Sequence, residues 1–417
     1  MITCQKSKFL KVSKKDCTIL KSKILVIQTA FLGDLLLSIP LLREVRKLHP
    51  LSEIHLLAKK GLGDFYLNVK IVDRLHQVDK SQSSWRNETS RKLKAERFET
   101  IYCPHKSFSS AWLSFRIGAP RRVGFQQLKT RWAFTETKNW PRHLPDALRQ
   151  VSLVTNLSNE NVSSKNVAAL QEKFTMQLSE KEMSFIEAAP AALPPMESHN
   201  GEQTVVSNQE SYLLQNRNPK NPADTLQPSV GVKDFFVRSR LKDYLVIAPG
   251  SQWATKQWTQ GGFAALIEIL LRQNNRIVVV GTQTEKTLAD SILHQALAKC
   301  EGISDSNSAI NLCGLTSVSD LILIMRDAKC VITNDSGAMH VASLAGTPTV
   351  AIFGPTTLSL GYQPWNAKSI IVENNELSCR PCGKHGHNEC PLGHHKCMKD
   401  ITAAMVYDSY ANMTSQR

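Results

Sequence analysis

The chain has 417 residues, too many for one typical domain; at roughly 150 residues per domain, its length indicates two or three. Hydrophobic residues make up 42% of the sequence, an ordinary share for a globular protein that allows a sizeable core in each domain. The formal net charge of +15 indicates an anionic partner, such as nucleic acid, an anionic membrane surface or a phosphorylated substrate.

Residues 1–23 form a basic tail that contains seven lysines. We interpret it either as a solvated extension or as part of a binding surface. The N-terminus lacks an early apolar core followed by a small-residue cleavage site, so no secretory signal is expected. The most apolar stretch, 24–42, contains Asp34 and Pro40 and makes a poor membrane span. We therefore expect a soluble protein whose membrane contact is at most peripheral.

The segment 24–156 alternates between strand and helix patterns. A short buried strand is predicted at Ile24–Ile27, followed by a helix over 34–48. Further strands are predicted at Ile54–Leu57, Ile101–Tyr102 and Val123–Gly124. The segment 157–240 is instead rich in Asn, Ser, Gln, Glu and Pro, which predicts a largely irregular linker or insertion with some helix near 166–178.

From Tyr244 the alternation returns clearly. Strands are predicted at Leu245–Ala248, Arg276–Val280, Ala309–Leu312, Cys330–Thr333 and Thr349–Phe353. Helices are predicted at Gly262–Arg272, Glu285–Ala298, Ser317–Ala328 and Gly337–Ala345. The fold class is therefore α/β, with two Rossmann-like domains at 24–156 and 241–405 and a tail at 406–417. Ligands of such folds bind at the carboxyl ends of the parallel strands, so the loops there are the candidate sites.

The first candidate loop follows the strand Ile24–Ile27. Gly33 permits a tight turn or the close approach of a substrate. Asp34 lies where the strand gives way to a helix and faces the expected cleft. Its carboxylate is interpreted either as a cap for the helix amides or as a general base that accepts a proton from a hydroxyl.

The second candidate loop, 249–258, follows the strand Leu245–Ala248. Its small residues, hydroxyls and single lysine suit a phosphate group, with Ser251 and Lys256 as the contacts. The Gly-Lys-Ser/Thr ending of a Walker A loop is missing. The alternative is an ordinary surface loop with a solvated lysine.

The third candidate loop joins the strand Cys330–Thr333 to a helix. Ser336 and Gly337 place free amides at the helix N-terminus, a geometry that binds phosphate oxygens. Asp335 is a candidate ligand for sugar hydroxyls, and His340 follows about one turn later. The alternative is an Asp-Ser capping pair with a buried, hydrogen-bonded histidine. Another loop at the same edge holds Gly354-Pro355-Thr356.

Taken together and in this order, these segments resemble the ADP-heptose:lipopolysaccharide heptosyltransferases, glycosyltransferase family 9. The resemblance covers about 24–150 and 244–405. It rests on the Gly33-Asp34 motif, on Pro249-Gly250 through Trp258, on Asn334 through His340, and on Phe353-Gly354-Pro355-Thr356. It implies the GT-B fold, in which two Rossmann-like domains face each other across a cleft. It also implies inverting heptose transfer to the lipopolysaccharide inner core by a monomeric cytoplasmic enzyme, peripheral on the anionic inner face of the inner membrane.

The resemblance also implies roles for individual residues. Asp34 matches the catalytic base, and Gly33 lies in the loop on the acceptor side. The residues that match the binding site of the ADP-heptose donor are Ser251, Lys256, Glu285, Thr316, Asp335, Ser336, Gly337 and His340. The acceptor is a phosphorylated lipopolysaccharide core. Since no Asp-x-Asp metal clamp is evident in the loops, we expect catalysis without an essential divalent cation.

A cysteine-rich segment, residues 379–397, lies near the C-terminus. It holds four cysteines, which begin with a C-x-x-C pair: Cys379, Cys382, Cys390 and Cys397. This pattern indicates a structural zinc site, with free thiols or disulfides as alternatives. Because the segment is distant in sequence from the other motifs, its role is expected to be structural. Within the family that the chain resembles, this segment looks most like that of heptosyltransferase II-type members.

Three other functions remain as alternatives. A transferase could use another nucleotide sugar or acceptor, and an epimerase of the same architecture would convert a nucleotide sugar without any acceptor. A nucleic-acid-binding protein would explain the net charge of +15. However, the chain shows no helix-turn-helix, zinc-finger array or RNA-binding aromatic signature. We therefore expect no nucleic acid partner.

Overall fold

The computed structural model describes residues 21–158, 161–162, 166–189, 243–300, 308–366 and 368–415. Two sheets of six parallel strands each form the centres of two α/β domains. The first sheet contains β1 (Lys23–Ile27), β2 (Glu53–Lys59), β3 (Arg74–Val78), β4 (Thr100–Cys103), β5 (Arg121–Phe125) and β6 (Glu136–Lys138). The second contains β7 (Tyr244–Ala248), β8 (Arg276–Val279), β9 (Ala309–Asn311), β10 (Cys330–Asn334), β11 (Thr349–Phe353) and β12 (Ser369–Glu373).

The helices cover these sheets and extend into the segment between them. In the N-terminal half they are α1 (Leu32–Leu36), α2 (Ile39–Leu48), α3 (Phe65–Asn68), α4 (Trp85–Lys94), α5 (Phe108–Ile117), α6 (Asp146–Val151), α7 (Val167–Lys173) and α8 (Glu180–Ala188). In the C-terminal half they are α9 (Gln260–Arg272), α10 (Lys286–Leu297), α11 (Val318–Arg326), α12 (Gly337–Ala345), α13 (Lys396–Lys399) and α14 (Ala403–Ser415). No helix among these described residues has the length and apolarity needed to cross a bilayer.

Each sheet reverses its strand order at one point. The first sheet has the order β3-β2-β1-β4-β5-β6, so the chain changes direction between β1 and β4. The second has the order β12-β11-β10-β7-β8-β9 and reverses between β10 and β7. Loops at the carboxyl ends of two strands diverge at such a switch point and leave a crevice for a ligand.

The sequence predicts the central strands better than the outer ones. Strands β1 and β7 are paired on both sides and almost entirely buried, and they consist of near-continuous apolar runs. The three strands that the sequence pattern did not predict, β3, β6 and β12, lie at sheet edges. Edge strands have one partner and carry more polar residues, so their hydrophobic signal is weaker.

The single helix predicted over 34–48 is two helices. Helix α1 ends at Leu36, and α2 starts at Ile39 with Pro40 in its first turn. Proline is tolerated in the first turn of a helix but not in its interior, because it has no N–H to donate and its ring clashes with the preceding turn. Pro40 therefore marks the start of the second helix.

Two segments are more ordered than the sequence patterns predict. Within the predicted linker 157–240, the helix expected near 166–178 is confirmed as α7, but α8 was not predicted. Met176 and Ile186 of this region are buried in the core. Residues 190–242 and the basic tail up to residue 20 lie outside the described residues. The predicted tail 406–417 belongs to α14 as far as Ser415, and Val406 and Tyr410 are buried in the C-terminal core.

Candidate active site

Asp34 lines a cleft of about 970 Å³ at the switch point of the first sheet. It is the third residue of α1, the short helix that begins five residues after β1 ends at Ile27. The loop after β4 supplies the opposite wall, through residues 104–107. The C-terminal domain completes the cleft with residues 359–362 and with Lys384 and His385. The predicted catalytic base thus faces an open cavity between the two domains.

The surroundings of Asp34 favour its protonated form. Burial raises the pKa of this carboxyl from 3.8 to about 7, and the nearby Asp146 carboxylate adds to the rise. Backbone N–H donors of Phe31 and of Asp34 itself act in the opposite direction, as does the Lys256 ammonium. The bond to the Phe31 N–H, at the N-cap of α1, means that the capping interpretation is partly correct. A pKa near the operating pH is nevertheless what a general base requires.

A buried side-chain amide places Asp146 beside Asp34. Gln150 Nε2 donates to Asp146 Oδ2 over 2.9 Å and lies 3.3 Å from the Asp34 carbonyl oxygen. Its Oε1 accepts from Gln28 Nε2 at 3.3 Å. Because Asp146, Gln150 and Gln28 are almost inaccessible to solvent, this network holds the second carboxylate in position.

The cleft around Asp34 is rich in positive charge. Two carboxylates, Asp34 and Asp146, line it together with six cationic side chains: Lys59, Lys80, Lys106, Arg142, Arg149 and Lys384. Such a concentration of one charge sign raises the local concentration of anionic ligands. The cleft is therefore suited to an acidic substrate.

Lys256 and Asp335 form a buried ion pair at the switch point of the second sheet. Lys256 Nζ donates to Asp335 Oδ2 at 2.6 Å, and Thr356 Oγ1 donates to the same oxygen at 2.6 Å. All three residues are less than 10% exposed. The alternative of a solvated surface lysine is therefore wrong. The three groups come from the loops after β7, β10 and β11, which are neighbouring strands.

Asn334, the last residue of β10, holds the lysine loop against the sheet. Its Nδ2 donates to the Pro249 carbonyl oxygen at 2.7 Å, and its Oδ1 accepts from the Trp258 N–H at 3.0 Å. Both ends of the loop 249–258 are thus tied to one buried amide. The side chain positions Lys256 without reaching the cleft itself.

The predicted nucleoside-binding residues lie further along the same sheet edge. Glu285 follows β8, and its Oε2 accepts from the Thr282 N–H at 2.7 Å, which closes a capping box. The carboxylate packs so closely on Gly250 that a Cβ there would overlap it. Thr316 follows β9 and is half-buried, and Ser251 is 9% exposed in the loop after β7.

Gly33, Gly337 and His340 meet at the contact between the two domains. A Cβ on Gly33 would lie 2.9 Å from His340 Cδ2, and one on Gly337 would lie 3.3 Å from Leu32 Cδ2. Helices α1 and α12 therefore approach each other through these two glycines. His340 is 3% exposed, and burial lowers the pKa of its imidazole to about 4. Its Nδ1 has no hydrogen-bond partner within the described part of the chain, unlike the satisfied histidine of the alternative interpretation.

Replacing Gly33 by Ala is expected to lower the free energy of unfolding by about 1–3 kcal/mol, because the new methyl group would overlap the buried His340 ring. Urea denaturation measures this change. Gly261→Ala is the matched control, since a Cβ at that helical position meets nothing within 4 Å. Equal unfolding free energies for the two variants would show that α1 and α12 are not closely packed in solution.

The cysteine-rich segment 379–397 is distant in sequence but packs directly on the lysine loop. His387 N–H donates to Thr255 Oγ1 at 2.8 Å, and His395 Nε2 donates to the Thr255 carbonyl oxygen at 2.8 Å. Gly386 lies so close to Thr255 that a Cβ would be 2.9 Å from its Oγ1. The segment is therefore distant from the other motifs in sequence but not in space.

The four thiols of this segment are all free. Burial raises the pKa of Cys397 to about 11, and the charges of the other three cysteines add to the rise. Burial acts likewise on Cys390, but N–H donors of the following turn, residues 392–395, lower its pKa overall. Among the described residues, no group of three or more His, Cys, Asp or Glu side chains is arranged to hold a metal ion.

Several residues of the site were not predicted from the sequence. They are Lys106, Trp140, Asp146, Gln150 and Lys384, which all line the cleft. Lys106 follows the predicted strand Ile101–Tyr102, so the rule for carboxyl strand ends could have found it. The others reach the site only through tertiary contacts.

Comparison with known proteins supports the fold and the family. The profile of glycosyltransferase family 9 (heptosyltransferase) matches residues 86–392. The structure of Escherichia coli ADP-heptose lps heptosyltransferase II covers 94% of this chain, and the match includes 99% of that chain, with 18% identity and a TM-score of 0.63. A glycosyl transferase family 9 structure from Veillonella parvula covers 95% of this chain and 98% of its own, with 20% identity and a TM-score of 0.65. The predicted GT-B fold is confirmed.

Sequence relatives agree with this. Lipooligosaccharide heptosyltransferase 2 of Campylobacter jejuni, serotype O:6, is 30% identical over 176 residues, 42% of this chain and 52% of that protein. The alignment thus spans about half the length of this relative. Lipopolysaccharide heptosyltransferase 2 of Escherichia coli K12 is 21% identical over 404 residues, which are 95% of this chain and 96% of that protein. With 86–392 matched by the family profile, the chain belongs to glycosyltransferase family 9.

Proposed function

We propose that this protein is an inverting glycosyltransferase that moves heptose from ADP-L-glycero-D-manno-heptose to the inner core of lipopolysaccharide. The observation that carries the proposal is that two candidate sites, one at the switch point of each sheet, lie close to each other. Asp34 lies at the first, and the pair Lys256–Asp335 lies at the second, near enough for the lysine to lower the pKa of Asp34. The names of the sequence relatives, lipooligosaccharide and lipopolysaccharide heptosyltransferase 2, support the acceptor. The related structure, described as ADP-heptose lps heptosyltransferase II, supports the donor.

The acceptor side of the proposed reaction depends on Asp34. An acceptor hydroxyl attacks the anomeric carbon of the donor from the face opposite ADP, and the bond from that carbon to the diphosphate oxygen breaks. The Asp34 carboxylate takes the hydroxyl proton, a contribution of about 10²–10⁴-fold to the rate. Because the attack is direct, the configuration at the anomeric carbon inverts.

The donor side depends on the loops of the C-terminal domain. Lys256 stabilises the negative charge that grows on the departing diphosphate, helped by Ser251 and Ser336. Asp335 holds heptose hydroxyls, while Glu285 binds the ribose and Thr316 borders the adenine. Diphosphate binding by Gly337 and His340 stays a prediction, since their closest contacts are with α1.

Release of ADP from ADP-heptose tests the proposal. We expect release by the wild-type protein only when a heptose-deficient or mono-heptosylated lipopolysaccharide core is present. Conversion of the nucleotide sugar without an acceptor would instead indicate an epimerase. No release with any such core would mean that donor or acceptor is wrong, and other nucleotide sugars would be screened. Submicromolar, strongly salt-dependent DNA binding would favour a nucleic-acid-binding protein.

The dependence of the rate on pH should report Asp34. Because the base must be ionised and the pKa of its carboxyl is about 7, kcat/KM is expected to rise with pH between about 6 and 8. Asp146→Asn removes a charge that raises this pKa, so the midpoint should move to lower pH. A rate profile that is flat from pH 5 to 9 in both proteins would contradict the assignment of Asp34 as the base.

The protein is further proposed to act as a monomer in the cytoplasm, in peripheral contact with the inner face of the inner membrane. The support is the net charge of +15, because a basic protein is drawn to an anionic leaflet that carries the acceptor. Light scattering measures the oligomeric state, and co-sedimentation compares binding to anionic and zwitterionic vesicles. A related structure, the glycosyltransferase TibC of Escherichia coli, is described as dodecameric.

The zinc site predicted from the cysteine spacing also stays a proposal, as does catalysis without a required divalent cation. Cys379, Cys382, Cys390 and Cys397 would be the ligands, and the N–H donors around Cys390 favour a thiolate there. We expect elemental analysis to find about one zinc ion per chain in the wild type and much less in Cys379→Ser. Activity that survives EDTA treatment would support the absence of a catalytic metal. Wild-type protein without zinc would exclude the structural site.

A further inference from the structure

The cysteine-rich segment forms part of the wall of the cleft that contains Asp34. Lys384 and His385 both line this cavity. The segment is held in place from two sides. The Cys382 N–H donates to the Pro355 carbonyl oxygen at 2.7 Å, and the backbone N–H of His387 donates to Thr255 Oγ1. Lys384 therefore comes from a tethered element of the C-terminal domain, although its side chain is exposed.

Two cations of the N-terminal domain line the same cleft. Lys106 follows β4, and its Nζ lies over the ring of Trp140, 3.4 Å from the ring centroid. Arg142 follows two residues after that tryptophan. Burial lowers the pKa of Lys106 to about 8, and the charge of Lys384 is the next largest cause. The charges of Lys106 and Lys384 thus repel each other across the cavity.

Lys106, Arg142 and Lys384 differ from Arg149, another cation of the cleft, in having no ion-pair partner among the described residues. Arg149 donates to the Leu360 and Arg142 carbonyl oxygens at 2.7 and 2.6 Å and lies 3.8 Å from Asp146, so its guanidinium is already engaged. Across the described ranges, none of the side chains of Lys106, Arg142 and Lys384 forms a salt bridge with a carboxylate. Asp146 lines the same cavity and attracts Lys106, but it forms no ion pair with any of the three. Like charges that line one cavity and form no ion pair favour the binding of an anion between them.

We propose that Lys106, Arg142 and Lys384 form an anion subsite that takes an acidic group of the acceptor, a phosphate or a carboxylate. This inference rests on the proposed function and adds to it the part of the acceptor that is recognised. The subsite belongs to the acceptor, because Lys106 and Arg142 lie in the domain of Asp34, whereas the donor groups follow β7 to β11. Lys384 makes the subsite span both domains.

The geometry assigns a different task to each member. The face of Trp140 orients the Lys106 ammonium toward the cavity and attracts it through the ring quadrupole. Arg142 can present a planar fork to a phosphate or carboxylate. Lys384 completes the ring of charge from the opposite domain. An acceptor anion bound there would bridge the two domains near the Asp34 carboxylate, where the hydroxyl must be placed.

Steady-state kinetics of Lys384→Gln and Lys106→Gln test the subsite. We expect the acceptor KM to rise by about 10-fold or more in each, the loss typical of one charge-assisted hydrogen bond, while the donor KM stays within about twofold. Lys384→Arg should keep most of the wild-type acceptor KM. Lys399→Gln is the matched control, because it removes the same charge from an exposed position of the neighbouring helix α13. Melting temperatures show whether the variants are folded.

Two modified acceptors identify the anion. One has its phosphates removed and its carboxylates kept, and the other has its carboxylates reduced and its phosphates kept. The modification that removes the difference between wild type and Lys384→Gln identifies the group bound. If wild type transfers heptose but the Lys384 and Lys106 variants match Lys399→Gln with every acceptor, the subsite is wrong. If wild type transfers no heptose, the proposed function itself is wrong. The experiment therefore distinguishes failure of the proposed function from failure of the anion subsite.

Discussion

Replacing Asp34 by Asn is expected to lower kcat by about 10²–10⁴-fold, because the amide cannot accept the proton of the acceptor hydroxyl. The substitution keeps the shape of the side chain and its place in α1. The folded pKa of about 7 lies above the usual 3.8, so the carboxyl stabilises the fold only while protonated. That contribution is complete below pH 3.8 and is lost as the pH rises through about 7. At pH 8 the melting temperature of the variant should therefore not fall.

The separation of activity from stability makes this experiment informative. Transfer is measured as acceptor-dependent ADP release, and unfolding by circular dichroism. Asp408→Asn, at an exposed position on α14, controls for the loss of one negative charge and should behave as wild type. An Asp34→Asn protein that keeps more than a tenth of the wild-type kcat would show that another group takes the proton.

Replacing Lys256 by Met is expected to impair both function and stability. The kcat/KM for the donor should fall by about 10²–10³-fold, since a group that stabilises the leaving diphosphate is lost. The free energy of unfolding should fall by about 3–5 kcal/mol, because the buried Asp335 carboxylate loses its cation. Donor titrations of ADP release and urea denaturation measure the two effects.

The double variant Lys256→Met, Asp335→Asn separates these two effects. It removes the unpaired carboxylate, so most of the lost stability should return, with Thr356 still able to donate to the new amide oxygen. Activity should not return, because the positive charge is still missing. If activity recovers together with stability, Lys256 serves only to hold the loop and does not act on the diphosphate.

Strands were predicted most accurately from the sequence where they are buried on both faces of a sheet. β1 and β7 are near-continuous runs of apolar residues, apart from Lys23 at the start of β1, and both were predicted to within one residue at each end. Edge strands such as β3, with the sequence RLHQV, lack that signal. Helix α8 was not predicted, because its two buried residues, Met183 and Ile186, lie within a largely polar segment.

Site residues could be predicted from the sequence where a reactive side chain comes soon after a buried strand. Asp34, Lys256 and Asp335 each follow closely after a strand that the hydrophobic pattern had located, and parallel strands bring the segments that follow them to one edge of a sheet. Asp146 and Lys384 follow no strand in that way. They reach the cleft because α6 packs beside α1 and because the cysteine-rich segment packs on Thr255, over 100 residues away in sequence.

The sequence by itself determined the two parallel sheets, the loops that carry the reactive groups and the family, because all three depend on local patterns of apolar and polar residues. Only the tertiary structure decided the charge environment of those groups. The pKa of Asp34 depends on burial and on Asp146, and the cation cluster depends on Lys384 from the other domain. Electrostatic interactions depend on distances in space, which residues far apart in the chain acquire only when the two domains pack together.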